Sequence, residues 1–267
     1  MNNFGGIGSP KFIGSFHSLR YLNLFRAGLG SVIPHQLGNL SRLQYLDLYN
    51  AYDALELYID DVFWISGLSS LQHLSMKNMK LRKAAKVEAL NTLPSIIKIS
   101  LSGGIDTISL SLPQVNFTHF SVLDLSRNLI PSSVIPQWLF NISSLRYLDL
   151  SYNLFRGSIP YAIGNLTSLN VLGLTKNVLK GLLRKELGRL CKLHILKLSG
   201  TNLSRGLTEL WGLFSGCIRN CIENLDLSET QLSGYLPNWL GELRMLRSLF
   251  LDLNSLAGSV PESLVRL

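Results

Sequence analysis

LRYLDLSYNLFRGSIPYAIGNLTS, residues 145–168, contains a spacing of leucines that recurs along the whole chain. Leu145, Leu148 and Leu150 form an L-x-x-L-x-L motif, and the same motif begins again at Leu169. Aligning all copies, with Ile or Phe replacing the first Leu in some, gives ten starts separated by 24 to 29 residues: 19, 43, 71, 96, 120, 145, 169, 193, 222 and 246. A period of this length indicates a solenoid in which each repeat packs on its neighbours.

Within each repeat, alternating leucines and polar residues predict a short strand followed by a turn. The leucines of LDL, residues 148–150, point into the core and the aspartate points outward. Successive strands are expected to pair in a parallel sheet on a concave face, and Gly157 and Pro160 to shape the return along the convex side. An asparagine after the strand is expected to hydrogen-bond the backbone of neighbouring turns. This asparagine ladder comprises Asn128, Asn153, Asn177 and Asn254.

The repeats differ in regularity. The ladder position is occupied by other residues in six repeats: Ala27, Ala51, Met79, Gly104, Thr201 and Thr230. Since four of these fall in residues 1–120, we predict weaker lateral bonding there. The longer repeats carry insertions at 50–66 and 205–221, which are expected to form loops or convex helices, either as tolerated surface excursions or as binding surfaces.

Composition permits a large core and excludes several functional classes. The 267 residues are 46% hydrophobic and 16% charged, and the net charge of +8 favours acidic partners. No apolar run reaches the roughly 18 residues of a membrane helix, and the first residues lack the features of a signal peptide. Motifs of hydrolases, metalloproteases, P-loop proteins and kinases are absent, as are zinc spacings and nucleic-acid-binding modules. We therefore expect a non-catalytic protein without cofactor or metal.

Several longer stretches carry a more specific resemblance. They are LGSVIPHQLGNL (29–40), DVFWISGLSSLQHLSM (61–76), LNTLPSI (90–96), VNFTHFSVLDLS (115–126) and GSIPYAIGNLTSL (157–169). They are similar to the plant-specific class of leucine-rich repeats. Their order, with irregular second and third repeats, resembles the ectodomains of plant receptor-like proteins, particularly the group that includes the fungal xylanase receptor.

The resemblance implies a fold and a function. The fold is an α/β repeat solenoid, a right-handed horseshoe or superhelix with a short parallel β-sheet on the concave face and 3₁₀ or irregular segments on the convex side. The function is that of an immune receptor on the extracellular side of the plasma membrane, which binds a microbial or self protein or peptide. Such receptors signal through partner receptor kinases.

The chain departs from that family in what it contains. Residues 1–18 match only the second half of a repeat, and the last residues lie inside another. The family's signal peptide, terminal caps and membrane helix have no counterpart here. We therefore expect residues 1–267 to be a single repeat domain truncated at both ends.

Three other functions remain open from the sequence. The first is a secreted inhibitor similar to the plant inhibitors of fungal polygalacturonase, which share the repeat class. The second is the ectodomain of a receptor kinase for a peptide hormone. The third is a gene fragment without function.

Outward positions on and just after the strands are the candidate ligand contacts. Phe25 and Tyr49 replace a consensus serine and lie near Arg26, a composition typical of binding interfaces. Tyrosines within the strands also stack along sheets for structural reasons, so they admit both roles. These tyrosines are Tyr21, Tyr45 and Tyr147. The remaining candidates are His73, Lys77, Lys98, Arg127, Tyr152, Lys176 and Lys197.

Five N-x-S/T sequons are candidate glycosylation sites if the chain is secreted. They are Asn39, Asn116, Asn141, Asn165 and Asn202, and all but the last fall just before the next strand motif. The repeat consensus itself produces Asn-Leu-Ser/Thr, so a sequon here is only permissive.

Three cysteines and a basic run complete the candidate features. Adjacent turns bring cysteines within the Cα separation of a disulfide, roughly 4.4–6.8 Å. The family's LCKL- and SGC-like contexts favour a Cys191–Cys217 pair with Cys221 unpaired; the alternative is three buried free thiols.

The run at 76–90 carries Lys77, Lys80, Arg82, Lys83 and Lys86. It would meet an acidic partner or form a solvated helix face.

Overall fold

The computed structural model describes residues 4–49, 57–81, 87–104, 110–112, 115–130, 134–181, 183, 185–203 and 206–266. Contacts divide the chain into two compact units, residues 1–131 and 132–267. Each unit contains five of the predicted strand motifs. The expectation of a single domain stays a prediction.

A three-residue strand begins two residues after the start of every L-x-x-L-x-L motif. In the first unit Tyr21–Asn23, Tyr45–Asp47, His73–Ser75, Lys98–Ser100 and Val122–Asp124 pair in chain order, all parallel. In the second unit Tyr147–Asp149, Val171–Gly173, Ile195–Lys197, Asn224–Asp226 and Ser248–Phe250 do the same. The central residue of each strand is leucine or isoleucine, which packs inward. The predicted repeat solenoid with parallel strands is confirmed.

Short 3₁₀-helices form the return segments. Those of the first unit are Lys11–Ser15, His35–Asn39, Phe63–Gly67 and Val87–Thr92. Those of the second are Gln137–Asn141, Tyr161–Asn165, Lys185–Arg189, Leu207–Leu210, Cys217–Asn220, Asn238–Glu242 and Glu262–Arg266. Several begin directly after a proline, whose fixed φ and missing N–H suit the residue before a helix.

Smaller parallel sheets lie between the main strands and the 3₁₀-helices. In the first unit Ser31–Val32, Leu57–Ile59 and Lys80–Leu81 form one of them. In the second unit Arg156–Gly157 pairs with Val178–Leu179, and Ser233–Tyr235 with Ser255–Ala257.

The two insertions are only partly described. Residues 50–56, including Ala51, lie outside the described residues, and the rest of the first insertion forms a strand and a 3₁₀-helix. The second insertion contains the short α-helix Trp211–Phe214.

The helix-face interpretation of the basic run is wrong for Lys77 and Lys80, which lie in a turn and in a short strand. Met76 and Met79 are buried in the core, and this holds the segment in the repeat. Residues 82–86 of that run lie outside the described residues.

Glycines recur in the return segments because successive turns approach each other at the level of the backbone. A Cβ on Gly216 would lie 2.3 Å from the carbonyl oxygen of Gly188, and one on Gly188 would lie 2.6 Å from that of Leu213. In the first unit a Cβ on Gly67 would lie 2.2 Å from the oxygen of Gly38. The absence of a side chain is therefore a packing requirement at these positions.

Buried asparagines connect neighbouring repeats. Asn177 Nδ2 donates to the carbonyl oxygens of Leu150 at 2.9 Å and Leu174 at 3.0 Å, and its Oδ1 accepts the N–H of Phe155 at 3.1 Å. By contrast, among the described residues the Thr201 hydroxyl bonds only the carbonyl of Leu198 in its own repeat. Related side-chain bonds are made by Asn128, Asn153 and Asn254.

The third residue after most strands adopts a left-handed backbone conformation. Arg26, Arg127, Tyr152, Lys176 and Glu229 have φ between 51° and 60° there. Gly103 and Gly200 occupy the equivalent position in their own repeats with φ of 79° and 69°. A residue other than glycine in this region costs on the order of 1 kcal/mol. Asn78 and Leu253 adopt the same conformation, so four of the seven described non-glycine residues at this position are candidate ligand contacts.

Two of the cysteines form a disulfide, and the third has a free thiol. Cys191 and Cys217 form a disulfide between neighbouring turns, with their Cα atoms 5.0 Å apart. Cys221 is free, and its Sγ lies 3.3 Å from the carbonyl oxygens of both Leu193 and Ile218. Burial raises the pKa of the Cys221 thiol above its ordinary value, although the Leu193 backbone bond acts in the opposite direction. A thiol held in its protonated form is a poor nucleophile.

This arrangement predicts a pattern of alkylation. Unfolded, non-reduced protein should take up one iodoacetamide group and reduced protein three, as counted by mass spectrometry. In the native protein Cys221 should react about tenfold more slowly than a solvent-exposed thiol, because the thiolate is disfavoured. Three groups without reduction would contradict the disulfide.

Candidate ligand-binding site

In the first unit, outward residues of four neighbouring strands form a row that changes from aromatic to basic. Strand pairing aligns Tyr21 with Tyr45, Tyr45 with His73, and His73 with Lys98. The Tyr21 and Tyr45 rings stack with centroids 4.3 Å apart, and the His73 ring lies 5.8 Å from that of Tyr45. The cationic end of the row is Lys98, which is exposed.

A second row lies just after the same strands. The Phe25 and Tyr49 rings are 5.0 Å apart, and the Arg26 guanidinium lies 5.3 Å from the centre of the Phe25 ring. In the next repeat Lys77 Nζ lies 2.9 Å from Asp124 Oδ2. This row therefore also begins with aromatic side chains, but its lysine is paired with a carboxylate.

The two rows border an open pocket of about 270 Å³. Phe25, Tyr45 and Tyr49 contribute aromatic walls, and His73 and Lys98 contribute basic groups. The remaining lining residues are Leu46, Asp47, Leu74, Ser75, Lys77 and Ser100. A pocket with apolar walls and a few polar groups is typical of ligand sites.

Burial and neighbouring charges shift the pKa values of two residues that line the pocket. Burial, and then the charge of Lys98, lower the pKa of His73 below its ordinary value, which favours the uncharged imidazole at neutral pH. Burial, and then the Asp47 carboxylate, raise the pKa of Tyr45, so its phenol stays neutral. No cluster of three or more His, Cys, Asp or Glu suited to a metal occurs in the part of the chain that the structure describes.

Residues 144–166 and 221–243 match the family model described as Leucine Rich Repeat. The chain folds as leucine-rich repeats. Over 98% of its length it is 35% identical to Receptor-like protein EIX1 from Solanum lycopersicum, of which it spans 26%.

Two solved structures of other proteins have the same fold as this chain. It is similar to a TDR receptor with 28% identity and a TM-score of 0.75, over 99% of this chain and 44% of that one. It is also similar to the ectodomain of the membrane receptor kinase GASSHO1/SCHENGEN3 from Arabidopsis thaliana, in complex with CASPARIAN STRIP INTEGRITY FACTOR 2. The two chains are 25% identical with a TM-score of 0.69, and the similarity covers 99% of this chain and 36% of that one. The resemblance to plant receptor-like proteins is thereby confirmed.

The other predicted contacts are not among the residues that line the pocket. In the first unit Arg127 is exposed at its left-handed turn. In the second unit the Tyr147 hydroxyl donates to Asp149 Oδ2 at 3.3 Å, and Tyr152 and Lys197 are exposed. Lys176 forms an ion pair with Glu229. Their role in binding stays a prediction.

Sequence reasoning missed that two candidate lysines are paired across an intervening repeat. Lys77 reaches Asp124, and Lys176 reaches Glu229. Gly200 holds the position between the latter two, and a Cβ there would lie 2.6 Å from Lys176 Cδ. A glycine flanked by opposite charges at the same repeat position is the signal that could have revealed the second pair.

The sequons differ in accessibility. Asn39, Asn141 and Asn165 are exposed at the last residue of a 3₁₀-helix, and Asn116 is exposed as well. Asn202 is half-buried, its backbone bridges to Lys180, and its Oδ1 is buried without a partner among the described residues. Glycan attachment is therefore sterically simpler at the first four.

Proposed function

We propose that this chain is a non-catalytic, ligand-binding part of the ectodomain of a plant cell-surface receptor-like protein. The observation that carries the proposal is its 35% identity to Receptor-like protein EIX1 along 98% of the chain. Because the chain spans 26% of that relative, the activity of the whole protein is part of the proposal. It would recognise a microbial or self protein or peptide outside the plasma membrane and signal in defence through partner receptor kinases.

The pocket in the first unit supports a binding role. Phe25, which lies against Arg26, is 43% exposed, and Tyr21, which stacks on the pocket residue Tyr45, is 57% exposed, so large aromatic surfaces face solvent at and next to the pocket. Tyrosine, tryptophan and arginine are the residues that most often dominate binding energy at protein interfaces. N-glycosylation at Asn39, Asn116, Asn141, Asn165 and Asn202 belongs to the same proposal. Among the described residues, no helix is long and apolar enough to cross a bilayer.

A second candidate is the ectodomain of a peptide-binding receptor kinase. It is favoured by the similarity to the TDR receptor and to GASSHO1/SCHENGEN3 in complex with CASPARIAN STRIP INTEGRITY FACTOR 2. A secreted inhibitor has no such observation in its favour.

Sequencing the full-length transcript separates these candidates. A membrane helix followed by a short tail is expected for the receptor-like protein. A cytoplasmic kinase domain would establish the second candidate instead. A transcript encoding neither a membrane segment nor a kinase would overturn both.

Binding itself is tested with the protein produced as a secreted chain. Peptides are selected on it from a phage-displayed random library. The double variant Phe25→Ala, Arg26→Ala should bind the selected peptides at least about tenfold more weakly, because interface anchors of this kind contribute 2 kcal/mol or more. Its thermal unfolding should be unchanged, since Phe25 packs on Tyr49, Arg26 packs on Phe25, and neither side chain lies in the core.

The matched control removes an exposed tyrosine and an exposed arginine from 3₁₀-helices of the second unit. Tyr161→Ala with Arg189→Ala should leave the affinity unchanged. Equal affinity of the wild type and the Phe25, Arg26 variant would exclude this surface. Selection of no peptide at all would count against peptide binding as the function.

A further inference from the structure

Among the residues that the structure describes, one of the two lysines that line the pocket has no carboxylate partner. Lys77 is neutralised by Asp124 at 2.9 Å, whereas Lys98 forms no ion pair with any residue that the structure describes. Asp47, which also lines the pocket, accepts the N–H of Tyr49 at 3.0 Å through Oδ1. An anionic group beside Lys98 would therefore meet a positive charge that forms no ion pair with a described carboxylate, although Asp47 places a negative charge elsewhere on the pocket lining.

The distance between the aromatic and basic parts limits what spans them. Neighbouring parallel strands are about 4.8 Å apart, so the two strand intervals from Tyr45 to Lys98 amount to about 10 Å. A peptide extended in the polyproline II conformation advances about 3.1 Å per residue with three residues per turn, so side chains three positions apart lie on the same face about 9 Å apart, close to this distance.

Resting on the ligand-binding function proposed above, we infer that this pocket recognises an acidic side chain of an extended peptide segment. The carboxylate lies between Lys98 and His73. An aromatic or large aliphatic side chain about three positions away packs on Tyr45, Phe25 and Tyr49. An acidic polysaccharide repeats its carboxylate along the chain and would place further negative charge against Asp47, so a peptide with a single acidic side chain fits the pocket better.

The inference implies that affinity depends on pH. The groups facing His73 are Tyr45 and Asp47 from the preceding strand, Lys98 from the following strand, and Lys77 from its own repeat. In the free protein, burial and Lys98 hold the pKa of His73 below its ordinary value. A bound carboxylate favours the imidazolium and raises that pKa, so binding takes up a proton. Affinity should therefore rise as the pH falls through the pKa of His73 in the complex, and level off below its pKa in the free protein.

The test uses immobilised 15-residue peptides that carry Phe and Glu three positions apart, in both orders. Matched peptides replace Glu with Gln, or Phe with Ser, and oligogalacturonate serves as the polysaccharide probe. Wild-type protein should prefer a Phe/Glu peptide to its Gln counterpart about tenfold, as for loss of one charged hydrogen bond. Lys98→Gln should remove this preference, whereas Lys192→Gln, an exposed lysine of the second unit, should retain it.

A second readout separates recognition from folding. His73→Gln should bind the Phe/Glu peptide at pH 8 as the wild type does but should lose the increase in affinity at pH 5.5. Circular dichroism should show both pocket variants folded.

The remaining outcomes distinguish the two proposals. Peptides bound equally with Glu or Gln would overturn the acidic-group inference while leaving peptide binding intact. Binding of oligogalacturonate alone would also overturn it. Failure to bind any peptide in this set or in the random library would overturn the inference together with the proposed function.

Discussion

Replacing Gly216 with alanine is expected to lower the free energy of unfolding of the second unit by about 3 kcal/mol. The added methyl carbon would lie 2.3 Å from the Gly188 carbonyl oxygen and 2.9 Å from its Cα. Both are backbone atoms of a neighbouring turn, so relief requires the turns to separate beside the Cys191–Cys217 disulfide. The backbone at Gly216, with φ −80° and ψ −171°, is accessible to alanine. The cost therefore comes from contact and not from backbone conformation.

Gly212 offers a matched control four residues earlier. A Cβ there meets no atom within 4 Å, and the residue lies in the α-helix Trp211–Phe214. Gly212→Ala should be neutral or stabilise by up to about 1 kcal/mol, because alanine has the higher helix propensity. Urea unfolding followed by circular dichroism compares the two variants. Equal midpoints would show that the turns tolerate a side chain at Gly216.

Replacing Asn177 with alanine should cost about 3 kcal/mol, because a buried polar group left without its partner costs about 1–3 kcal/mol. The change removes three donated bonds, the third to the Thr175 carbonyl oxygen at 3.4 Å, and one accepted bond. It leaves the carbonyl oxygens of Leu150 and Leu174 and the N–H of Phe155 without this partner, and all three residues are buried. Unfolding in urea, monitored by circular dichroism, measures the loss.

Two further variants sharpen this test. Asn238 is exposed in a 3₁₀-helix, so Asn238→Ala should change stability by less than about 0.5 kcal/mol. Asn177→Thr should give an intermediate loss, since Thr201 and Thr230 show that a threonine here keeps the bond to the carbonyl oxygen three residues before it. If Asn177→Ala is no worse than Asn238→Ala, the ladder does not stabilise the unit.

The strand positions were predictable because they depend on local pattern. Alternating leucines decide which side of a strand faces the core, and every motif start is followed by a strand two residues later. The contacts between turns were not predictable in the same way. Whether Gly216 touches Gly188 depends on how closely two return segments approach, and these residues are 28 positions apart in the sequence.

The candidate site was predicted in part. Outward positions near Phe25 and Tyr49 followed from the strand alternation, and the structure brings them together with His73 and Lys98 around one pocket. The ion pair between Lys77 and Asp124 depends on two side chains meeting across a third repeat, which no local pattern reports. The basic run misled because its charges suggested a helix, whereas buried methionines hold its first part in the repeat.

The left-handed turns have a consequence for how this chain varies among individuals and relatives. Gly103 and Gly200 show that glycine is acceptable at that position, where it would relieve the backbone. A lineage selected only for persistence of the fold would accumulate glycine at the other such turns as well. The fold would therefore tolerate glycine at Arg26, Arg127, Tyr152 and Lys176. If these side chains contact the ligand, selection for binding removes such substitutions.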